Sequence, residues 1–158
     1  MATIDEHPLQ STKVLKKTIS SLFIWGIVFL VILIPAHLFL WETLPTLLLV
    51  ADGLAILILL IQPLYQYLYY KDYFYDVRKD FLVIKKGVLT PRETILNYTK
   101  LQDVYVDQDL LDRLFGLYDV HVSTATALSG ASAHIDGVNH DNAQAIRELI
   151  LSKIRKKK

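Results

Sequence analysis

The chain has 158 residues, 53% of them hydrophobic, a formal net charge of +1 and no cysteine. The missing cysteine excludes disulfides, thiolate catalysis and zinc sites built on Cys, and the even charge offers no broad basic face of the kind a general nucleic-acid binder needs. In chain order, Lys13, Lys16 and Lys17 precede a run from Ser20 to Trp41 whose only ionisable side chain is His37. At 1.5 Å rise per residue this run makes a helix about 33 Å long, enough for a hydrocarbon core of about 30 Å. It is too long for the apolar stretch of a cleaved signal peptide. A second run, Leu47 to Leu64, is interrupted only by Asp52, Gly53, Gln62 and Pro63.

These runs predict two transmembrane helices, at about 20–41 and 46–66, within a hairpin spanning 20–70 and behind an N-terminal segment 1–19. A soluble helix shows a polar face, and Ile24 to Ile34 shows none. The link Glu42-Thr43-Leu44-Pro45-Thr46 carries no Lys or Arg, whereas both outer flanks do, with Lys71, Arg78 and Lys79 on the far side. The positive-inside rule then puts both termini in the cytoplasm of a multi-pass protein of the cell (inner) membrane. Trp41 at one boundary and Tyr65, Tyr67, Tyr69 and Tyr70 at the other suit aromatic belts. Asp52 lies about 9 Å past Thr46, shallow enough for water or headgroups to reach, and can pair with His37. Gln62 can bond to a neighbouring helix, and Pro63 can kink or end the span. Together His37, Asp52 and Gln62 form the polar set inside the membrane.

From Tyr73 the period changes. Phe81 to Lys85 reads as a strand, with Lys86-Gly87 as a turn. Val88-Leu89 and Thr94-Ile95-Leu96 read as a second strand broken around Pro91. Gln102 to Gln108 and Leu117 to Ser123 alternate as half-buried strands, and Ala131 to Ile135 reads as a weaker strand ended by Asp136-Gly137. Between them, Asp109 caps a short helix with Leu110, Leu111, Leu114 and Phe115 as its apolar side and Gly116 as its stop. A last helix begins near Asn139, with Ala145, Ile146, Leu149, Ile150 and Ile154 at helical spacing. The predicted class is α+β: a helical hairpin, then an antiparallel β-barrel or sandwich with a C-terminal helix. The domain runs over 71–152 and the basic tail over 153–158. The domain carries nine basic and twelve acidic residues, and the tail five basic residues and no acid.

Phe81 to Leu89, Thr99 to Val104 and Arg113 to Val122, with Ala133-His134-Ile135-Asp136-Gly137-Val138 as a closing strand, resemble the bacterial pleckstrin-homology-like (PH-like) family of two-span membrane proteins. The resemblance implies a PH-like barrel or sandwich with a C-terminal helix, no catalytic residues, and a role as a scaffold or assembly subunit. The partners expected are the lipid bilayer and another membrane protein, a related PH-domain protein or a second copy, with no nucleic acid and no cofactor.

Several side chains permit other chemistry. Lys85, Lys86 and Arg92 flank the first hairpin, where clustered cations can hold a lipid headgroup phosphate, and Lys156, Lys157 and Lys158 can add attraction to an anionic leaflet. The bland counterparts are lysines that protect a sheet edge and a solvated chain end. His121 and His134, with Asp119 and Asp136 nearby, have the chemistry of zinc ligands, but their spacing fixes no tetrahedral site, and no metal is expected. Ser123 beside His121 lacks a strained elbow, and Ala127 to Gly130 lacks a phosphate-loop pattern. The chain is therefore read as non-enzymatic.

Overall fold

A computed structural model describes residues 2–124 and 133–157. The elements, in order, are α1 (Thr3–Glu6), α2 (Thr12–Leu40), α3 (Pro45–Lys71), β1 (Phe74–Val77), β2 (Phe81–Lys86), β3 (Arg92–Asn97), β4 (Leu101–Asp107), α4 (Leu110–Phe115), β5 (Tyr118–Thr124), β6 (His134–Val138) and α5 (His140–Arg155). A 3₁₀ turn, Tyr98–Lys100, joins β3 to β4. The chain divides into two compact units. One is Val14–Leu68; the other joins Met1–Lys13 to Tyr69–Lys158.

The first unit is the helical hairpin. Both helices are long and apolar enough to cross a membrane. Leu48 and Ala55 are buried, whereas Phe23, Val31, Phe39, Leu47 and Leu60 are exposed, so the apolar surface is turned outward rather than into a protein core. Pro45 takes the first helical position of α3, where its missing N–H costs nothing. Pro63 does not end the span, because α3 continues to Lys71.

In the second unit, two three-stranded antiparallel sheets, β1-β2-β3 and β4-β5-β6, stand in place of a closed barrel. Alternation sets their faces. Leu82, Ile84, Val104, Val120, Val122 and Ile135 are buried together, and α5 adds Ala143, Ile146, Ile150 and Ile154. Each fully buried aliphatic side chain contributes about 1.5–3 kcal/mol. Asn139 caps α5 by accepting from the Asn142 N–H at 2.8 Å.

Four local expectations need correction. Val88-Leu89 belongs to the bend before β3, because Gly87 turns the chain with φ +105°. The last strand does not end at Asp136-Gly137; it runs on to Val138 through Gly137 at φ +81°, and Ala131, its expected start, lies outside the described residues. Ala143 rather than Ala145 is buried, since the buried row of α5 passes through Ile146, Ile150 and Ile154. In α4, Asp109 caps and Gly116 stops the helix as expected, with Asp109 Oδ1 accepting from the Asp112 N–H at 2.6 Å. Yet Leu110 and Leu114 are 82% and 75% exposed, while Asp112 is buried.

The N-terminal segment is part of the domain. Leu9 joins its core. The Thr3 N–H and hydroxyl both donate to Asp76 Oδ1, at 3.0 and 3.1 Å, and the Val77 N–H donates to Thr3 Oγ1 at 3.0 Å. Tyr70 donates its hydroxyl to the Leu9 carbonyl and Tyr75 to that of His7, while the Asn142 amide donates to the carbonyl of Pro8. The Gln10 N–H donates to the Gly137 carbonyl at 2.8 Å. The segment thus ties itself to β1 and β6 like a strap.

Candidate functional site

The strap ends in a buried charged cluster. Lys13 Nζ lies 3.1 Å from Asp136 Oδ2 and donates to the Asp136 carbonyl at 2.9 Å, with both side chains almost fully buried. Lys86 Nζ approaches the other carboxylate oxygen at 3.5 Å. Tyr73 lies beneath, its ring 3.8 Å from Lys13 Nζ, and its hydroxyl donates to the His134 carbonyl. Burial, then the negative charge of Asp136, pushes the Tyr73 phenol well above its ordinary value, so it stays a neutral donor. The stem of Lys13 lies on Gly137: a Cβ there would come within 2.5 Å of Lys13 Cδ. The sequence places Asp136 near the two histidines; β6 instead turns it inward to Lys13 and Lys86.

Among the basic residues singled out from sequence, Lys85 and Arg92 are exposed, while Lys86 is drawn in by Asp136. Lys85 stands opposite Glu93 across β2 and β3. Lys156 is exposed, Lys157 donates to Asp80 Oδ1 at 2.6 Å, and Lys158 lies outside the described residues. This hydrogen bond and the lysine's charge hold the Asp80 carboxyl below its usual value. Ala127 to Gly130 also lies outside the described residues.

His121 and His134 do meet. Their registers place Tyr105, His121 and His134 in one row across β4, β5 and β6. The rings stack with centroids 5.0 and 5.2 Å apart. His121 Nε2 lies 3.1 Å from Asp107 Oδ1, and Asp119 Oδ1 accepts from the Gly137 N–H. One ligand atom each from Asp107, Asp119 and His121 lies within 4.8 Å of the others, so these three could hold a metal ion. The near-parallel stack keeps the two imidazoles about a ring spacing apart, which does not converge them on one ion.

Within the hairpin, His37 and Asp52 come together, Nε2 to Oδ2 at 3.1 Å, while His37 Nδ1 faces the Leu33 carbonyl at 2.9 Å. A carbonyl only accepts, so Nδ1 carries a proton. Gln62 is half-buried on α3.

Sequence reasoning missed the strap, Lys13 as a buried residue, and Tyr73. The available signal was weak: Thr3, His7 and Leu9 follow no helical or strand period, and their partners lie 61 to 135 positions away.

The comparisons agree with this architecture. The family model described as the bacterial PH domain matches residues 19–154, a stretch that takes in both apolar helices and the domain. No curated protein and no solved structure matches the chain. With most of its length matched, the chain belongs to the bacterial PH domain family.

Proposed function

We propose that this protein is a non-enzymatic, two-span membrane protein that presents its PH domain in the cytoplasm as a scaffold or assembly subunit of a membrane complex. The reading of α2 and α3 as spans is supported by their length and by apolar side chains facing outward all round. The cytoplasmic placement is supported by the Lys/Arg asymmetry between the link and the flanks.

The observation that carries the scaffold reading is the free edge of β3. The strap packs along β1 and bonds to β6, and α5 packs on β4 and β5. Among the described residues, strand β3 pairs with β2 on one side only and presents an exposed Ile95 beside a groove of about 350 Å³ that Leu96 and Lys100 also line. An unpaired edge with an apolar side chain is a template for a strand of another chain. The partner that fits is another membrane protein, a related PH-domain protein or a second copy. A headgroup-sensing role has less support, because Lys86 is engaged by Asp136 and Lys157 by Asp80.

The test is isolation of the protein from native membranes in mild detergent, with Thr94→Pro and Ile95→Asp as edge variants. A stoichiometric membrane protein that accompanies the wild type and is lost from both variants supports the scaffold reading. Recovery of the protein alone, with anionic lipid retained after washing, favours headgroup sensing instead.

A further inference from the structure

The outer face of the β4-β5-β6 sheet gathers side chains that ligate metals. Asp107 of β4 and Asp119 of β5 are direct cross-strand partners, and Tyr105 and His121 form the next pair on the same face. Alternation puts all four on one side, while Val106 and Val120, the residues between them, turn to the core. Like charges directly opposite each other on neighbouring strands repel. Two carboxylates set face to face therefore call for a cation. The imidazole beside them separates this group from an ordinary acidic patch. Its nitrogen suits zinc and its neighbours in the transition series, whereas oxygen ligands alone suit magnesium or calcium.

The distances fit such an ion. His121 Nε2 lies 3.1 Å from Asp107 Oδ1. Ligand atoms about 2.0 Å from a tetrahedral zinc stand about 3.3 Å from one another, so this pair already spans one edge of the tetrahedron. One ligand atom of Asp119 completes a group within 4.8 Å. Asp107 is exposed and Asp119 and His121 are half-buried, which leaves their side chains room to close on the ion. Two of the three ligands are also braced from behind. The His121 ring is sandwiched between Tyr105 and His134, with interplanar angles of 6° and 16°. Asp119 Oδ1 accepts from the Gly137 N–H at 2.8 Å. Supports of this kind fix the orientation of a ligand before the metal arrives. The set differs from the one suggested by sequence: Asp107 enters, Asp136 is taken by Lys13 and Lys86, and His134 serves as a brace.

We propose that Asp107, Asp119 and His121 bind one zinc ion, which clips β4 to β5 on the outer face of the sheet and keeps its fourth position open to water. The site lies wholly within the domain, so it stands apart from the spanning and scaffold readings.

The test uses full-length protein in detergent, purified without a polyhistidine tag, stripped with a chelator and dialysed against micromolar zinc. Bound metal is measured by elemental analysis. The proposal predicts one zinc per chain, with affinity weakened about tenfold or more in Asp107→Asn and in His121→Phe, which keeps a ring in the stack. His134→Phe, which also keeps the stack, retains the metal. A ligand that binds only the folded form raises its melting temperature, so zinc should raise the domain transition of the wild type and not that of Asp107→Asn. Excess magnesium should leave the zinc in place. Failure of the wild type to bind stoichiometrically overturns the proposal and leaves the carboxylates to a protonated His121. Equal binding by wild type, Asp107→Asn and His121→Phe overturns it by placing the metal elsewhere. Loss of binding in His134→Phe as large as in His121→Phe assigns the metal to the two histidines instead. Displacement by magnesium reduces the site to an acidic patch.

Discussion

Two ion pairs, one from each unit, show how differently the domain and the hairpin are built. In the domain, Lys13 and Asp136 are almost fully buried and are joined by a carbonyl acceptor, a tyrosine ring and a second lysine. In the hairpin, His37 and Asp52 are each about a third exposed and are joined by one carbonyl and a stacked Trp41. The domain encloses its polar cluster in a core of its own. The hairpin leaves both its apolar surface and its polar pair to whatever surrounds it. The domain therefore carries its fold in side-chain packing, whereas the hairpin turns outward an apolar surface of the length and composition that could cross a membrane.

The contrast can be attacked by substitution, starting with the largest effect. Asp136→Ala removes the carboxylate from the buried pair with Lys13, and breaking a buried pair costs about 3–5 kcal/mol. Chemical unfolding of the full chain in detergent should show the domain transition moved by that amount. Gly137→Ala forces a β-carbon into Lys13 at a backbone angle that L residues avoid. Its expected cost is about 2 kcal/mol, with faster amide exchange at Gln10 as the local signature. Thr3→Ala removes a donor to Asp76 and the acceptor for Val77, about 1–2 kcal/mol, read as lost exchange protection at Val77. On the hairpin side, Asp52→Asn should change unfolding in detergent by less than about 1 kcal/mol, as for partly exposed pairs. A loss as large as that of Asp136→Ala would erase the distinction.

A pH series sharpens the comparison further. Burial alone would raise the Asp76 carboxyl, but hydrogen bonds from Thr3 and from Arg78 outweigh it and hold it below its ordinary value. A carboxylate lowered in the folded state contributes stability that is complete above its unfolded value of about 4. That contribution is lost as pH falls through the lowered folded value. The stability difference between wild type and Asp76→Ala should therefore be constant from neutral pH to about 5 and shrink below about 4. A difference that grows on acidification would contradict the role given to Asp76.

Much of the fold was legible because its signals are local. The apolar runs, the alternation of Val120 and Val122, and the caps at Asp109 and Asn139 each depend on neighbours a few residues away. What was illegible depends on partners far along the chain. Asp136-Gly137 has the composition of a turn, and only the arrival of Lys13, 123 positions earlier, turns it into a buried anchor. Likewise, the leucines of α4 keep helical spacing, but spacing says which residues share a face and not which way that face points. The pairing of His37 with Asp52 was readable, since a hairpin brings equal depths together. The stack of His121 on His134 was readable from strand alternation. Neither pairing revealed the further contacts, of His37 to the Leu33 carbonyl and of His121 to Asp107.

The most direct test of the account concerns the strap. Residues Met1–Lys13 joined by a short Gly/Ser linker to Tyr69–Lys158, without the hairpin, should be compared with Tyr69–Lys158 alone by thermal unfolding in aqueous buffer. The account predicts one cooperative transition for the linked version, with a midpoint at least about 10 °C above that of the shorter one, since each kcal/mol moves a domain of this size by about 4–8 °C. Equal midpoints would show that the N-terminal segment merely lies on a domain that is complete without it.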